Sequence, residues 1–66
     1  MNYQTIRLRH QDGVAVITLN RPEVMNALSP ELLGDLCQAF ADLKKDRGVL
    51  AVILTGNGKA FCAGLD

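Results

Sequence analysis

The sequence predicts a small α/β unit, a β-hairpin continued by one βαβ crossover. Three observations carry that expectation. Two short runs of alternating apolar residues are joined by Asp12-Gly13; Ser29-Pro30-Glu31 opens a stretch with helical apolar spacing; and residues 49–55, VLAVILT, form an almost wholly apolar, β-branched run.

The first run, residues 3–9, sets Ile6 and Leu8 on one side and Arg7 and Arg9 on the other, the period of a half-exposed strand. Asp-Gly supplies the positive φ that a two-residue hairpin turn needs, and residues 14–19, VAVITL, return as the second strand. Pro22 disfavours further pairing, so residues 20–28, NRPEVMNAL, read as a loop.

A helix of 17 residues is expected next, with Ser29 as N-cap, Pro30 at the first helical position and Glu31 in the positive first turn. The capping box is incomplete, because Leu32 stands where Glu or Gln would complete it. Leu32, Leu33, Leu36, Ala39, Phe40 and Leu43 make the predicted core face. Lys44, Lys45 and Arg47 complement the negative end, and Gly48 is the expected stop. Gly34 gives up about 1 kcal/mol of helix propensity against alanine, which close packing at that position would explain. The run at 49–55 suits a parallel strand covered on both faces, reached by a right-handed crossover. One helix cannot cover both faces, so either copies associate or more chain normally follows; the second is the expectation.

Composition narrows the function. At 66 residues with a formal net charge of zero, the chain lacks the basic footprint of a nucleic-acid or anionic-membrane binder. A chain of this size buries roughly 60% of its unfolded surface. No apolar run reaches the roughly 18 residues of a transmembrane helix, and the polar start MNYQTIRLRHQDG has no secretory core. Cys37 and Cys62, the only cysteines, show no CxxC spacing, which excludes a zinc signature or disulfide framework and leaves a reduced, cytoplasmic protein as the default. His10 reads as a surface residue beside the hairpin turn. Cys62 reads as a small buried hydrophobe, with no nearby His to activate it.

The glycine-rich end, residues 56–66, GNGKAFCAGLD, matches no phosphate-binding motif. A P-loop would need Gly at 53 and Ser or Thr at 60, where the chain has Ile53 and Ala60; a dinucleotide fingerprint would need Gly at 61, where it has Phe61. Gly56-Asn57-Gly58 reads as a β-turn. Beyond it, Phe61 is expected to anchor the loop in the core while Ala63 and Gly64 leave the backbone bare to a ligand. Bare N–H groups can stabilise an oxyanion; the same small residues also suit close packing.

NRPEVMNAL at residues 20–28 and AVILTGNGKAFCAGLD at residues 51–66 together resemble the crotonase family, the enoyl-CoA hydratases and isomerases, and the resemblance covers essentially the whole chain. It implies an α/β crotonase-like ββα spiral, with residues 1–66 as the N-terminal fragment of that domain: the first ββα turn and the following strand. It also implies a parent enzyme, a hydratase/isomerase or lyase of fatty acid metabolism that binds an acyl-CoA thioester and stabilises its enolate between two backbone N–H donors.

Carried over, the N–H of Leu65 is one donor, and the second lies downstream together with the catalytic carboxylates. Neither Glu23 nor Glu31 suits the acid or base role. Backbone groups of Met25, Asn26 and Ala27 are expected at the adenine, and those of Ala63, Gly64, Leu65 and Asp66 along pantetheine and thioester. Arg21 is a phosphate candidate, alongside a solvated or internally paired arginine. Val24 stands where relatives often carry a basic residue, removing one phosphate contact. Asp66 could cap a following helix or reach the ligand. The resemblance implies no metal, no cofactor beyond the coenzyme A of the substrate, and a homo-oligomer, trimer or hexamer. The contrasting reading is a non-catalytic binding or assembly module whose exposed strand pairs with a partner.

Overall fold

The computed structural model describes residues 3–62 and 64. Strand β1 (Ile6–Gln11), strand β2 (Val14–Leu19), a single 3₁₀ turn (Pro22–Val24), helix α1 (Pro30–Lys44) and strand β3 (Ala51–Gly56) follow in order. The sheet order is β1-β2-β3, with β1 and β2 antiparallel and β2 and β3 parallel. The hairpin and the βαβ crossover are therefore both present.

The hairpin turn is set by backbone conformation. Asp12 and Gly13 both have positive φ, 54° and 82°, the paired signature of the tight turn that matches strand twist. The Gly13 carbonyl then accepts from Leu50 N at 2.7 Å and Ala51 N at 3.2 Å, so the turn also fixes where β3 begins.

Strand β1 starts later than expected because residues 3–5 are held by α1. Asp35 Oδ2 accepts from Gln4 N, Thr5 N and Thr5 Oγ1 at 3.1, 2.9 and 2.7 Å, and the Tyr3 hydroxyl donates to Asp42 Oδ2 at 2.6 Å. Gln38 Nε2 donates to the other Asp42 oxygen. The donor Thr5 holds the Asp35 carboxyl below its ordinary range, and the Tyr3 donor does the same for Asp42. For Tyr3, the hydrogen bond to Asp42, then desolvation and the two negative charges, push the phenol up to about 12.

The signs follow from linkage. A lowered carboxyl contributes stability above its unfolded value, near 4, that is lost as pH falls through the folded value; a raised phenol contributes below about 10 and loses it as pH rises through about 12. Tyr3 is the sole tyrosine and there is no tryptophan, so ultraviolet titration reads it directly. The expected midpoint is about 12, and Asp42→Asn should return it toward the ordinary value of about 10. A wild-type midpoint at the ordinary value would refute the Tyr3–Asp42 tie.

Helix α1 begins as its sequence specifies. Ser29, extended and buried, accepts from Leu32 N through Oγ at 3.2 Å, with Pro30 next. Its end differs from expectation. The helix is 15 residues long and is capped at Lys45, whose N–H reaches Asp42 O and Leu43 O. Gly48 instead closes a separate turn in which its N–H donates to Asp46 Oδ1 at 2.8 Å. His10 is exposed, with Nδ1 3.6 Å from Asp46.

The core joins one sheet face to one helix stripe: Ile6, Ala15, Ile17 and Leu19 against Leu32, Ala39 and Leu43, with Leu36 and Cys62 packed alongside. The predicted helix face is thus too broad. Leu33 and Phe40 are each 46% exposed, because the stripe of α1 that meets the sheet runs through Leu32, Ala39 and Leu43. Gly34 does not serve close packing either, since a Cβ there would have nothing within 4 Å. Gly34→Ala is expected to stabilise the chain by about 1 kcal/mol, read as a higher denaturation midpoint at unchanged slope.

Strand β3 is left uncovered, as expected of a chain with one helix. It pairs in parallel with β2, as predicted, but none of Val52, Ile53 or Leu54 is buried by residues of this chain; Ile53 is 52% exposed. The apolar run specifies two covered faces, and α1 reaches neither of them fully.

Candidate active site at the carboxyl ends of two parallel strands

Leu19 and Gly56 are the last residues of β2 and β3 and face one another in register. Parallel strands send their following loops off the same edge of the sheet, the edge where open α/β sheets place ligands. Residues 20–28 and 57–62 leave from this edge, and a dense set of contacts joins them.

Residues 20–28 are folded tightly on themselves. Met25 N donates to Pro22 O, Asn26 N to Arg21 O at 2.8 Å and Ala27 N to Val24 O, while Arg21 Nη1 donates to Ala27 O. Met25 and Asn26 sit consecutively in the left-handed region, at φ 53° and 58°. This reverses the chain so that Met25 points outward, 54% exposed, while Asn26 turns fully inward.

Asn26 is the centre of the junction. Its Oδ1 accepts from Arg21 N at 2.7 Å, and its Nδ2 donates to Asn57 O at 2.9 Å and Ala60 O at 2.8 Å. An amide can accept at one end and donate twice at the other, so each of these contacts uses a distinct capacity of the side chain. Three more contacts surround it. Asn57 Nδ2 donates to Asn20 Oδ1 at 2.8 Å, Asn57 N donates to Leu19 O at 2.8 Å, and Leu28 N donates to Gly64 O at 2.7 Å.

Glycine at two positions lets the loops meet. At Gly56 a Cβ would lie 2.6 Å from Phe61 O, 2.7 Å from Phe61 Cα and 2.9 Å from Ala60 O, all backbone atoms. The chain therefore doubles back over the end of β3. At Gly58, φ is 96° and a Cβ would touch Pro22 Cβ at 3.0 Å. Residues 56–58 are more than the plain turn their sequence predicts. Phe61 is not the core anchor expected of it, being 52% exposed; Cys62, partly buried, packs on the core instead.

The sequence-predicted site residues fall into two groups. Arg21, Met25, Asn26, Ala27 and Gly64 are all at this junction. Ala63, Leu65 and Asp66 lie outside the described residues, so the predicted oxyanion donor has no described geometry. The N–H groups of Met25, Asn26 and Ala27 are engaged within the loop, and the Ala27 carbonyl takes Arg21. What this segment can offer a ligand is the exposed Met25, since Asn26 is fully buried. Gly56, Gly58 and Asn57 were missed as site-forming residues, because their roles exist only through contacts far along the chain. Among the described residues there is no cluster of three or more His, Cys, Asp or Glu able to hold a metal. A shallow groove lined by Arg9, Gln11, Asp12, Val14 and Val16 lies at the opposite ends of β1 and β2, remote from this junction.

A family model described as enoyl-CoA hydratase/isomerase matches residues 9–66. The chain belongs to that family. Over its whole length it is 51% identical to a probable enoyl-CoA hydratase of Rhodobacter capsulatus, covering 25% of that protein. It is 45% identical over 58 residues to a probable peroxisomal enoyl-CoA hydratase 1 of Arabidopsis thaliana, covering 88% of this chain and 22% of the relative. Its fold superposes on a crystal structure of an enoyl-CoA hydratase/isomerase from Mycobacterium paratuberculosis with a TM-score of 0.95 and 40% identity, over 98% of this chain and 26% of that one. The α/β arrangement is thus that of the crotonase fold, of which the chain spans about a quarter. No helix among the described residues is long and apolar enough to cross a membrane.

Proposed function

We propose that these residues form the coenzyme A end and one half of the oxyanion hole of an acyl-CoA hydratase or isomerase. The junction of residues 20–28 with 57–62 supports this reading, because it brings the two family motifs together at one sheet edge. When water adds to an enoyl thioester, it gives up a proton to a base as its oxygen bonds the β-carbon, and the π electrons shift toward the carbonyl, building negative charge on one oxygen. Fixed backbone N–H dipoles meet that charge without reorganising. In this proposal Leu65 N–H is one such donor, and the enolate then takes a proton at the α-carbon. The exposed Met25 is the residue of this loop open to the adenine, while the Arg21 guanidinium already donates to Ala27 O and would have to share that role with any phosphate contact.

The chain is expected to show no hydratase activity alone, because the resemblance places the catalytic carboxylates downstream of it. Residues 1–66, placed at the head of the Rhodobacter capsulatus relative in exchange for its matching quarter, should support hydration of crotonyl-coenzyme A. A folded hybrid with no turnover would overturn the proposal. The second reading, an assembly module, draws on exposed β3, whose uncharged, apolar residues are open to a covering partner. Tight association of the isolated chain through β3, with no thioester binding by the hybrid, would favour it.

A further inference from the structure

We infer that Asn26 is a positioning residue: its side chain sets the place of residues 57–60, and through them the chain that leads on to the candidate oxyanion donor. The inference rests on the hydratase/isomerase reading for its catalytic consequence, but its structural content is independent of it.

The argument begins with conformation and burial. Asn26 has no exposed surface and a φ of 58°, a region that few residues other than Gly, Asn and Asp occupy readily. Its backbone is held there within residues 20–28, by the bond from its own N–H to Arg21 O. The side chain is then free to act across the structure, and both of its donor hydrogens go to carbonyls more than thirty positions away, on Asn57 and Ala60. A buried amide whose donors and acceptor all find partners fixes the distance between the segments it joins, since a shift of either leaves a polar group unsatisfied.

The two carbonyls bracket the reversal over Gly56. Ala60 O, which takes one Asn26 donor, is also one of the atoms nearest to Gly56, within 2.9 Å of where a Cβ would stand. Asn57, which takes the other, is fastened to the end of β2 through Leu19 O. The reversal is therefore held from below by the sheet and from the side by Asn26. Past it, Leu28 N pairs with Gly64 O, adjacent to position 65. Asn26 lies two residues from Leu28, so one short segment grips the far loop at both ends of the stretch between 57 and 64. Oxyanion stabilisation falls steeply when a donor is misplaced, and a displacement of about 1 Å can remove on the order of 100-fold in rate. A residue that sets this position acts on kcat without touching the substrate.

Asn26→Asp isolates the effect. Aspartate has the same shape, tolerates the same φ and keeps an acceptor toward Arg21 N, but it replaces two donors with an oxygen facing two carbonyls. The test uses the hybrid in which residues 1–66 head the Rhodobacter capsulatus relative. The expected result is a fall in kcat for crotonyl-coenzyme A on the order of 100-fold with KM little changed. Amide hydrogen exchange should accelerate at Leu28 and Asn57, the donors to Gly64 O and Leu19 O, while Ile17 in the middle of β2 keeps its protection. Unchanged kcat with unchanged exchange at Leu28 and Asn57 would overturn the inference. So would accelerated exchange at Ile17 together with the loops, which marks a general loss of fold. Should the unsubstituted hybrid be folded but inactive, the hydratase/isomerase reading fails; local acceleration at Leu28 and Asn57 in Asn26→Asp would still uphold the positioning role, and its absence would reject it.

Discussion

Gly56→Ala is expected to destabilise the chain by about 3 kcal/mol, the upper end of what overpacking usually costs, and to abolish the loop junction. The reason is the identity of the neighbours. A new methyl at Gly56 would lie 2.6 Å from Phe61 O and 2.7 Å from Phe61 Cα. Neither is the tip of a flexible side chain that could swing aside. Relief requires the backbone of residues 60 and 61 to lift from the end of β3, and that movement pulls Ala60 O from the Asn26 amide. One methyl therefore breaks two sets of contacts, the close approach and the buried hydrogen bond. Glycine is not held here by left-handed conformation: positive φ occurs at Gly13, Gly58 and Gly64. Chemical denaturation of Gly56→Ala beside the parent chain tests this. A loss under about 1 kcal/mol, below the usual range for overpacking, would mean that the reversal is not packed as described.

The same position shows which features were legible in the sequence. Local chemistry could be read directly. Asp12-Gly13 specifies its turn through two adjacent φ angles, and Ser29-Pro30 specifies a helix start through one hydroxyl and one ring. The parallel pairing of β3 was also legible, because a continuous β-branched run has few other uses. Features set by distant partners were not. Residues 3–5 alternate like a strand, yet Asp35 and Asp42, about thirty or more positions away, draw them onto the helix. Leu33 and Phe40 share the period of the core face, but period alone cannot say how far the sheet extends beneath a helix. Phe61 and Cys62 are neighbours both expected inside; Cys62 packs on the core, whereas Phe61 is 52% exposed, because hydrophobicity alone does not say which way a loop side chain turns. At the site, the motif at 20–28 drew attention to the backbone of Asn26. The side chain proved to carry the long-range contacts, which no spacing rule reveals.

Leu65→Pro carries the largest expected effect on activity. If Leu65 N–H is an oxyanion donor, the pyrrolidine ring deletes it outright, and loss of one such donor lowers kcat roughly 100- to 1,000-fold. KM should change far less, because the thioester carbonyl carries little charge before water attacks, so the donor acts chiefly in the transition state. Leu65→Ala keeps the N–H and removes only side-chain bulk, and its loss should be much smaller. The pair of substitutions separates backbone from side chain, provided that the proline variant is folded. That condition matters here, since Pro also restricts the residue before it, and Gly64 has a φ of 102° and accepts from Leu28 N at 2.7 Å. Exchange protection at Leu28 therefore serves as the internal check on the Leu65→Pro hybrid. Protection retained with kcat lost identifies the N–H as the missing group. Protection and full rate both retained would remove Leu65 from the oxyanion hole, and the charge on the thioester oxygen would then have to be met by groups beyond this segment.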